Sequence, residues 1–246
     1  MTDSELIITL LTIAFSATLI GALIARRVPV RLRPIAAYDA LPTIAANAVE
    51  SGYRMHFSLG SSALGDPSTI SALASSEVVY QLADRLAVSP HPPLITLSQP
   101  TALPLAQDTL RRAYERRLRA EAFRATQAAW YPLGRRSMAF AAGASAHAAD
   151  IDAFSSVLLG RFSTELAFFG ESAVRYDQVL VAHSDSPGGQ AVAYAQADHP
   201  LLGEELYAGP AYLSRRPLHI GTVIAMDVLR WAVIMAILFT ALQAAL

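Results

Sequence analysis

The chain contains no cysteine and no lysine among its 246 residues. Without cysteine there is no thiol nucleophile, no disulfide and no thiolate metal site. Without lysine, all 19 basic residues are arginines. Schiff-base chemistry and the lysine-dependent phosphate loop are therefore excluded in their usual form. Arginine-only usage fits either a GC-rich coding bias or a preference for planar, permanently charged guanidinium groups. Charge of both signs is scarce: 16% of residues are charged, against roughly 25% in an average soluble domain. The net charge of −1 excludes an electrostatic nucleic-acid binder for the chain as a whole.

The missing charge is concentrated at the two ends. Leu6 to Ala25, LIITLLTIAFSATLIGALIA, carries no ionisable group, and as a helix it would span about 30 Å, the hydrocarbon thickness of a bilayer. Asp3 and Glu5 precede it, and Arg26, Arg27, Arg31 and Arg33 follow. A cleavable signal has its positive charge before the apolar core, so this segment reads as a retained anchor. Its arginine side belongs in the cytoplasm and Met1 outside. A second apolar segment runs from about Ile220 to Leu246, with an uncharged core from Trp231. Asp227 and Arg230 precede that core, three residues apart on one helix face, where they can pair. An intramembrane Asp/Arg pair is a functional candidate. At the interface, with Arg230 snorkelling, it sets helix depth or a helix–helix contact. The two spans predict a two-pass protein of the cell membrane, both termini outside. The divisions are an anchor with its basic flank at 1–33, a cytoplasmic domain at 34–216 and a second membrane helix at 217–246.

Between the spans, short apolar runs alternate with stretches of helical period. The predicted strands are Arg54–Leu59, Pro93–Leu97, Ser156–Gly160, Gln178–Ala182 and a short His199–Leu202. The predicted helices are Ala37–Ser51, Ser68–Ala87, Leu103–Gln127, Ala139–Asp152, Ser163–Arg175, Gly188–Gln196 and Glu204–Ser214. Alternation of this kind implies parallel pairing, and strands that are almost wholly apolar imply cover on both sides. The expected fold is α/β: a Rossmann-like, mostly parallel sheet with helices on both faces, flanked by an N-terminal and a C-terminal transmembrane helix.

Ligands of open parallel sheets sit beyond the carboxyl ends of the strands, so the loops there supply the candidates. The first, Gly60-Ser61-Ser62-Ala63-Leu64-Gly65-Asp66-Pro67, has the glycine spacing of a phosphate loop. A carboxylate and a proline stand where the lysine and hydroxyl should be, so it offers backbone N–H groups and two hydroxyls to a small polar ligand, or is a tight turn. The third strand leads to Ser163. The fourth leads to His183-Ser184-Asp185-Ser186-Pro187-Gly188-Gly189, the most chemically loaded stretch, opening on a helix N-terminus that attracts anions. Its Ser, His and Asp are too close in sequence to form a catalytic triad, whose members meet from separate elements. Glu204-Glu205 offers carboxylates for acid–base work or a divalent ion, or simply suits a helix N-terminus. The six histidines show no metal-ligand spacing. No catalytic residue, metal site or cofactor is assigned.

Eight arginines lie between Arg111 and Arg136, opposed within that span only by Glu115 and Glu121. Such a face is either solvated or, through Arg112, Arg116 and Arg119, meets anionic lipid or a neighbouring subunit. Nucleic acid is not an expected partner, because no aromatic interleaving accompanies the basic residues.

LRPI at Leu32–Ile35, HFSLG at His56–Gly60 and FAAG at Phe140–Gly143 stand between the two apolar spans. LLGRFSTE at Leu158–Glu165, HSDS at His183–Ser186 and LLGEELYAGPAYLS at Leu201–Ser214 follow. In that order they resemble a family of two-span bacterial membrane proteins known only as a domain of unknown function. The resemblance covers nearly the whole chain and implies the same architecture, with no catalytic residue to carry over. The leading functional expectation is a membrane scaffold that assembles with copies of itself or with paralogous subunits. The alternative is a membrane-tethered sensor of a small polar ligand, anionic or nucleotide-like. A metal-assisted hydrolase or transferase using Asp185, Glu204 or Glu205 ranks third.

Overall fold

A computed structural model describes residues 3–28 and 30–245. Met1 and Leu246, the ends expected outside the membrane, lie outside the described residues. Contacts divide the chain into two units, Met1–Arg33 with Pro210–Leu246, and Pro34–Gly209.

The first unit pairs helix α1 (Asp3–Arg27) with α9 (Pro217–Ala245). The segments Ile7–Arg27 and Pro217–Gln243 are long and apolar enough to cross a membrane. Small residues let the two backbones touch: a Cβ on Gly221 would come within 2.4 Å of the Thr18 carbonyl oxygen and 2.8 Å of the Ala22 nitrogen. Close approach through small residues is how helices associate where no hydrophobic force separates protein from lipid. Large apolar side chains such as Leu11, Phe15, Trp231 and Phe239 are left exposed on the outside of the pair. Asp227 and Arg230 are paired at 3.2 Å within α9, as their spacing requires.

The second unit is a six-stranded sheet in the order β3-β2-β1-β4-β5-β6, with every pair parallel. The strands are β1 (Arg54–Gly60), β2 (Leu94–Leu97), β3 (Ala128–Trp130), β4 (Ala153–Arg161), β5 (Val179–Ala182) and β6 (His199–Pro200). Their central members are buried over almost their full length. Helices α2 (Ala36–Ser51), α3 (Thr69–Leu86) and α4 (Leu103–Arg116) pack on one another, as do α5 (Met138–Asp150), α6 (Leu166–Arg175) and α7 (Pro187–Gln196). Helix α8 (Glu205–Ser214) completes the chain before α9.

The core on the α5–α7 side is built from Phe140, Leu158, Phe162, Leu166, Phe169 and Leu180. A buried polar network stands beside it. His56 is fully buried, its ring 6.1 Å from that of Phe169. Ser156 Oγ donates to Gln178 Oε1 at 3.0 Å, so it accepts from His56 Nδ1 at 3.1 Å. The other ring nitrogen, Nε2, then accepts from Thr96 Oγ1 at 2.8 Å. Burial pushes this imidazole down to about 3, with His147 adding to the effect.

One expectation needs correction. The helix expected over Leu103–Gln127 stops at Arg116, because Leu118 takes a left-handed conformation at φ 56°. The Arg119 and Leu118 N–H groups then turn back to the Tyr114 and Glu115 carbonyls, a C-terminal closure in which glycine is usual. Beyond it lies β3, which alanine-rich sequence of low strand propensity hides. The residue before the first turn of α3 is Ser68, and Asp66 supports it. It sits two residues earlier, where its carboxylate accepts from Ser68 N at 2.7 Å and Ser68 Oγ at 2.6 Å.

Candidate functional site

The strand order reverses between β1 and β4, and a crevice for ligand is expected beyond the carboxyl ends of such a pair. Here the two loops close on each other. Ser61 donates to the Arg161 carbonyl through both N, at 2.8 Å, and Oγ, at 2.9 Å. Arg161 N donates to Ser62 Oγ at 2.9 Å, and the Gly60 carbonyl accepts from Ser98 N at 2.9 Å and Oγ at 3.0 Å. Gly60, Ser61 and Ser62 thus spend their polar groups on backbone and leave no phosphate-binding cradle. Ser163 lies in the turn before α6, its carbonyl accepting from Leu166 N at 3.3 Å.

The open space lies one strand further along. A cavity of about 390 Å³ follows β5, lined by His183, Asp185, Ser186, Gln190, Gly203 and Tyr207 among others. That volume suits a small ligand. Ser184 and Ser186 form its floor and are structural. Ser184 Oγ donates to the Phe162 carbonyl at 2.6 Å and accepts from Phe162 N at 3.1 Å. Ser186 Oγ donates to the same carbonyl and, as N-cap of α7, accepts from Gly189 N at 3.2 Å. Neither hydroxyl is held as a nucleophile.

His183 Nδ1 lies 3.1 Å from the Leu201 carbonyl oxygen, which can only accept, so Nδ1 carries the proton. Burial holds this imidazole below its ordinary value, against the opposing hydrogen bond to Leu201 and the charge of Glu205. The ring is therefore neutral at pH 7, with Nε2 as an acceptor. Asp185 reaches solvent, yet crowding at the mouth removes enough water to push its carboxyl up. The Arg161 guanidinium works in the opposite direction. The Tyr207 phenol is likewise pushed up, by burial and then by the Asp185 charge. Gln190 shapes the wall by donating to the Leu201 carbonyl at 2.9 Å and accepting from Gly203 N at 3.1 Å.

Of the expected site residues, the structure brings His183, Ser184, Asp185 and Ser186 together at this cavity. Gly188 stands exposed in the first turn of α7, and Glu204 precedes α8, its carbonyl accepting from Tyr207 N at 3.0 Å. Gln190 and Tyr207 were not anticipated. The only signal for either was position, one turn into the helices that follow the two candidate loops. Among the described residues, no group of three or more His, Cys, Asp or Glu could hold a metal ion.

The arginine cluster is largely satisfied within the chain. Arg112 binds Asp108 at 2.9 Å and lies 5.3 Å over the Tyr80 ring. Arg119 donates to the Ala87 carbonyl at 3.0 Å and the Val88 carbonyl at 2.8 Å. Arg116 approaches Asp84 at 3.6 Å. Arg117 makes two bonds to the same carboxylate, at 3.0 and 2.8 Å. Sequence distance hid this partner, since Asp84 lies on α3. Because the arginines remain half-exposed, Asp84→Ala is expected to cost about 1–2 kcal/mol in thermal or denaturant unfolding, with Asp108→Ala at the surface well below that.

The chain belongs to the family described as Domain of unknown function (DUF6754), whose pattern matches residues 2–246. No curated protein matches the chain, and no solved structure does. The resemblance drawn from the LLGEELYAGPAYLS stretch and its companions agrees with this membership and with the two apolar helices.

Proposed function

We propose that this is a two-span membrane protein, of the bacterial kind its motifs resemble, whose α/β unit binds a small polar ligand at the carboxyl edge of the sheet. The observation that carries the reading is the cavity after β5, where a neutral His183, the Asp185 carboxyl and the Tyr207 phenol line one space of about 390 Å³. These groups are acceptors or weak acids, so they favour a neutral ligand rich in hydroxyl or amide donors over a phosphate. The arginine side of each span supports a cytoplasmic location for this unit. A tethered sensor or carrier needs no more than this. The scaffold reading loses one support, because Arg112, Arg116 and Arg119 already have partners within the chain.

The test is thermal stabilisation of the full chain in detergent by a panel of polyols and sugars, with nucleoside phosphates as the second arm. A hydroxylated ligand at 100 times its Kd would stabilise by about 2.7 kcal/mol, and Asp185→Asn is expected to remove the effect. Stabilisation by nucleoside phosphates alone would transfer the site to an anion. With neither, the mass of the detergent-solubilised protein decides for assembly if a discrete oligomer is lost on changing Arg112, Arg116 and Arg119 to Gln.

A further inference from the structure

The register of α1 against α9 sets the depth of the Asp227/Arg230 pair. Gly21, near the end of α1, meets Gly221, near the start of α9: a Cβ on Gly21 would lie 3.1 Å from the Gly221 Cα and 3.1 Å from the Ile224 Cβ. The end of one helix meets the start of the other, so the packed pair runs antiparallel. Asp227 lies six residues past Gly221 and Arg230 nine, about 9 and 14 Å further along α9. The same steps back from Gly21 reach Phe15 and Thr12. The uncharged run of α1, Leu6–Ala25, has its midpoint between Phe15 and Ser16. On the two-span reading this puts the ion pair near the middle of the hydrocarbon, rather than at the interface that the sequence suggested. Arg230 is then too deep to snorkel out.

Helical geometry sets the side on which the pair stands. Asp227 lies about 120° and Arg230 about 180° round α9 from Gly221, so both face away from α1. Their side chains are 57% and 48% exposed, and they are bonded to each other at 3.2 Å. The unmet need is therefore cover from lipid rather than a counter-charge, because charged groups within a span face protein or water and hardly ever lipid. The neighbouring residues suit a helix as that cover. Val223, Asp227, Arg230, Ile234, Ile237 and Ala241 follow one another at alternating steps of four and three, the heptad spacing of a seam between parallel helices. Ile234 and Ile237 on this stripe are exposed.

A second copy is the occupant that the charge pattern fits. Copies inserted in the same direction place their α9 helices parallel. Under a two-fold axis Asp227 faces the partner's Arg230, so two identical stripes are complementary and bury no net charge. A wholly apolar helix would offer the pair no hydrogen bond in exchange for its cover. We propose that α9 pairs with α9 of a second copy along this stripe, joining the two Asp227/Arg230 pairs into one network at mid-membrane. The pairing rests on the two-span reading and is independent of the cavity after β5.

Because the chain has no cysteine, single-cysteine variants report the contact directly in native membranes. Under copper phenanthroline, Ile234→Cys and Ile237→Cys are expected to form disulfide-linked dimers. Met235→Cys is expected to form severalfold fewer, since Met235 is as exposed as Ile237, at 61%, but lies on another side of α9. In the Ile234→Cys background, Asp227→Ala/Arg230→Ala is expected to lower the cross-linked fraction roughly threefold or more. The exchange Asp227→Arg/Arg230→Asp, which keeps the stripe self-complementary, is expected to restore it. Carbonate extraction of the same membranes separates the two readings. A chain released by carbonate would sink the two-span reading and the pairing with it. A retained chain whose Ile234→Cys and Ile237→Cys variants cross-link no better than Met235→Cys, or only to a protein of another mass, would overturn the pairing alone. Undiminished cross-linking in the double alanine variant would overturn the part given to the ion pair.

Discussion

Replacing Gly160 by alanine is expected to destabilise the α/β unit by about 3–5 kcal/mol, the sum of backbone strain and overpacking. Gly160 adopts φ 141°, a region that side chains rarely enter. A Cβ there would lie 2.4 Å from the Leu59 carbonyl oxygen and 2.5 Å from Ser62 Oγ. Neither neighbour can yield cheaply. Leu59 is buried in β1, and Ser62 Oγ holds the Arg161 N–H. The glycine is thus what permits the β1 and β4 loops to lock together. Gly65→Ala is the control: its φ of 91° is strained for alanine too, but nothing lies within 4 Å of the new Cβ, so only the strain of about 1–2 kcal/mol remains. Since whole domains are stable by about 5–15 kcal/mol, the Gly160 variant is expected to lose its cooperative melt or to fail to accumulate. A Gly160→Ala protein that melts within a few degrees of wild type would refute the lock.

Acid is expected to weaken the same unit before its carboxylates titrate. His56 is held neutral, with a folded value of about 3, whereas the unfolded chain protonates near 6.5. A base whose folded value is depressed contributes stability that is fully present above about pH 6.5. That stability is lost progressively as pH falls toward 3, because only the unfolded chain takes up the proton. Each unit is worth about 1.36 kcal/mol, so His56 alone predicts a loss of about 2–3 kcal/mol between pH 6.5 and 4.5. His183, also lowered by burial, acts with the same sign. Asp185, whose carboxyl is pushed up, acts with the opposite sign and recovers part of the loss. The check is a series of denaturant melts across that window for wild type and His56→Gln, with a flatter profile expected for the variant. In the intact protein, labelled-histidine NMR should show the His56 ring failing to titrate above about pH 4. A ring that titrates near 6.5 would refute the buried neutral assignment.

The amino-acid sequence by itself determined whatever is periodic or compositional. Twenty uncharged residues from Leu6 and the apolar run from Trp231 require two long apolar helices, whatever surrounds them. The near-continuous apolar strands Arg54–Gly60 and Ala153–Arg161, spaced by helical stretches, require a parallel sheet covered on both faces, and five of six strands were legible for that reason. The sixth, Ala128–Trp130, was not, because alanine carries no strand signal and the end of α4 rests on a left-handed leucine rather than a glycine. The His183–Ser186 loop was legible as polar residues just past a strand, and it does line a cavity.

Only the tertiary structure decided what those polar groups do. Ser184 and Ser186 look like chemistry in sequence, but Phe162, more than twenty positions away, supplies the backbone that consumes them. The Gly60 loop looks like a ligand cradle until Arg161 fills it from the neighbouring strand. The arginines look free until Asp84 arrives from another helix. In each case the partner is remote in sequence and adjacent in space. Local pattern can announce a polar group, but only long-range packing settles whether its hydrogen bonds go to the protein or remain for a ligand. Gln178 is the converse: it draws no notice in sequence, yet the fold buries it and gives only its oxygen a partner, the Ser156 hydroxyl.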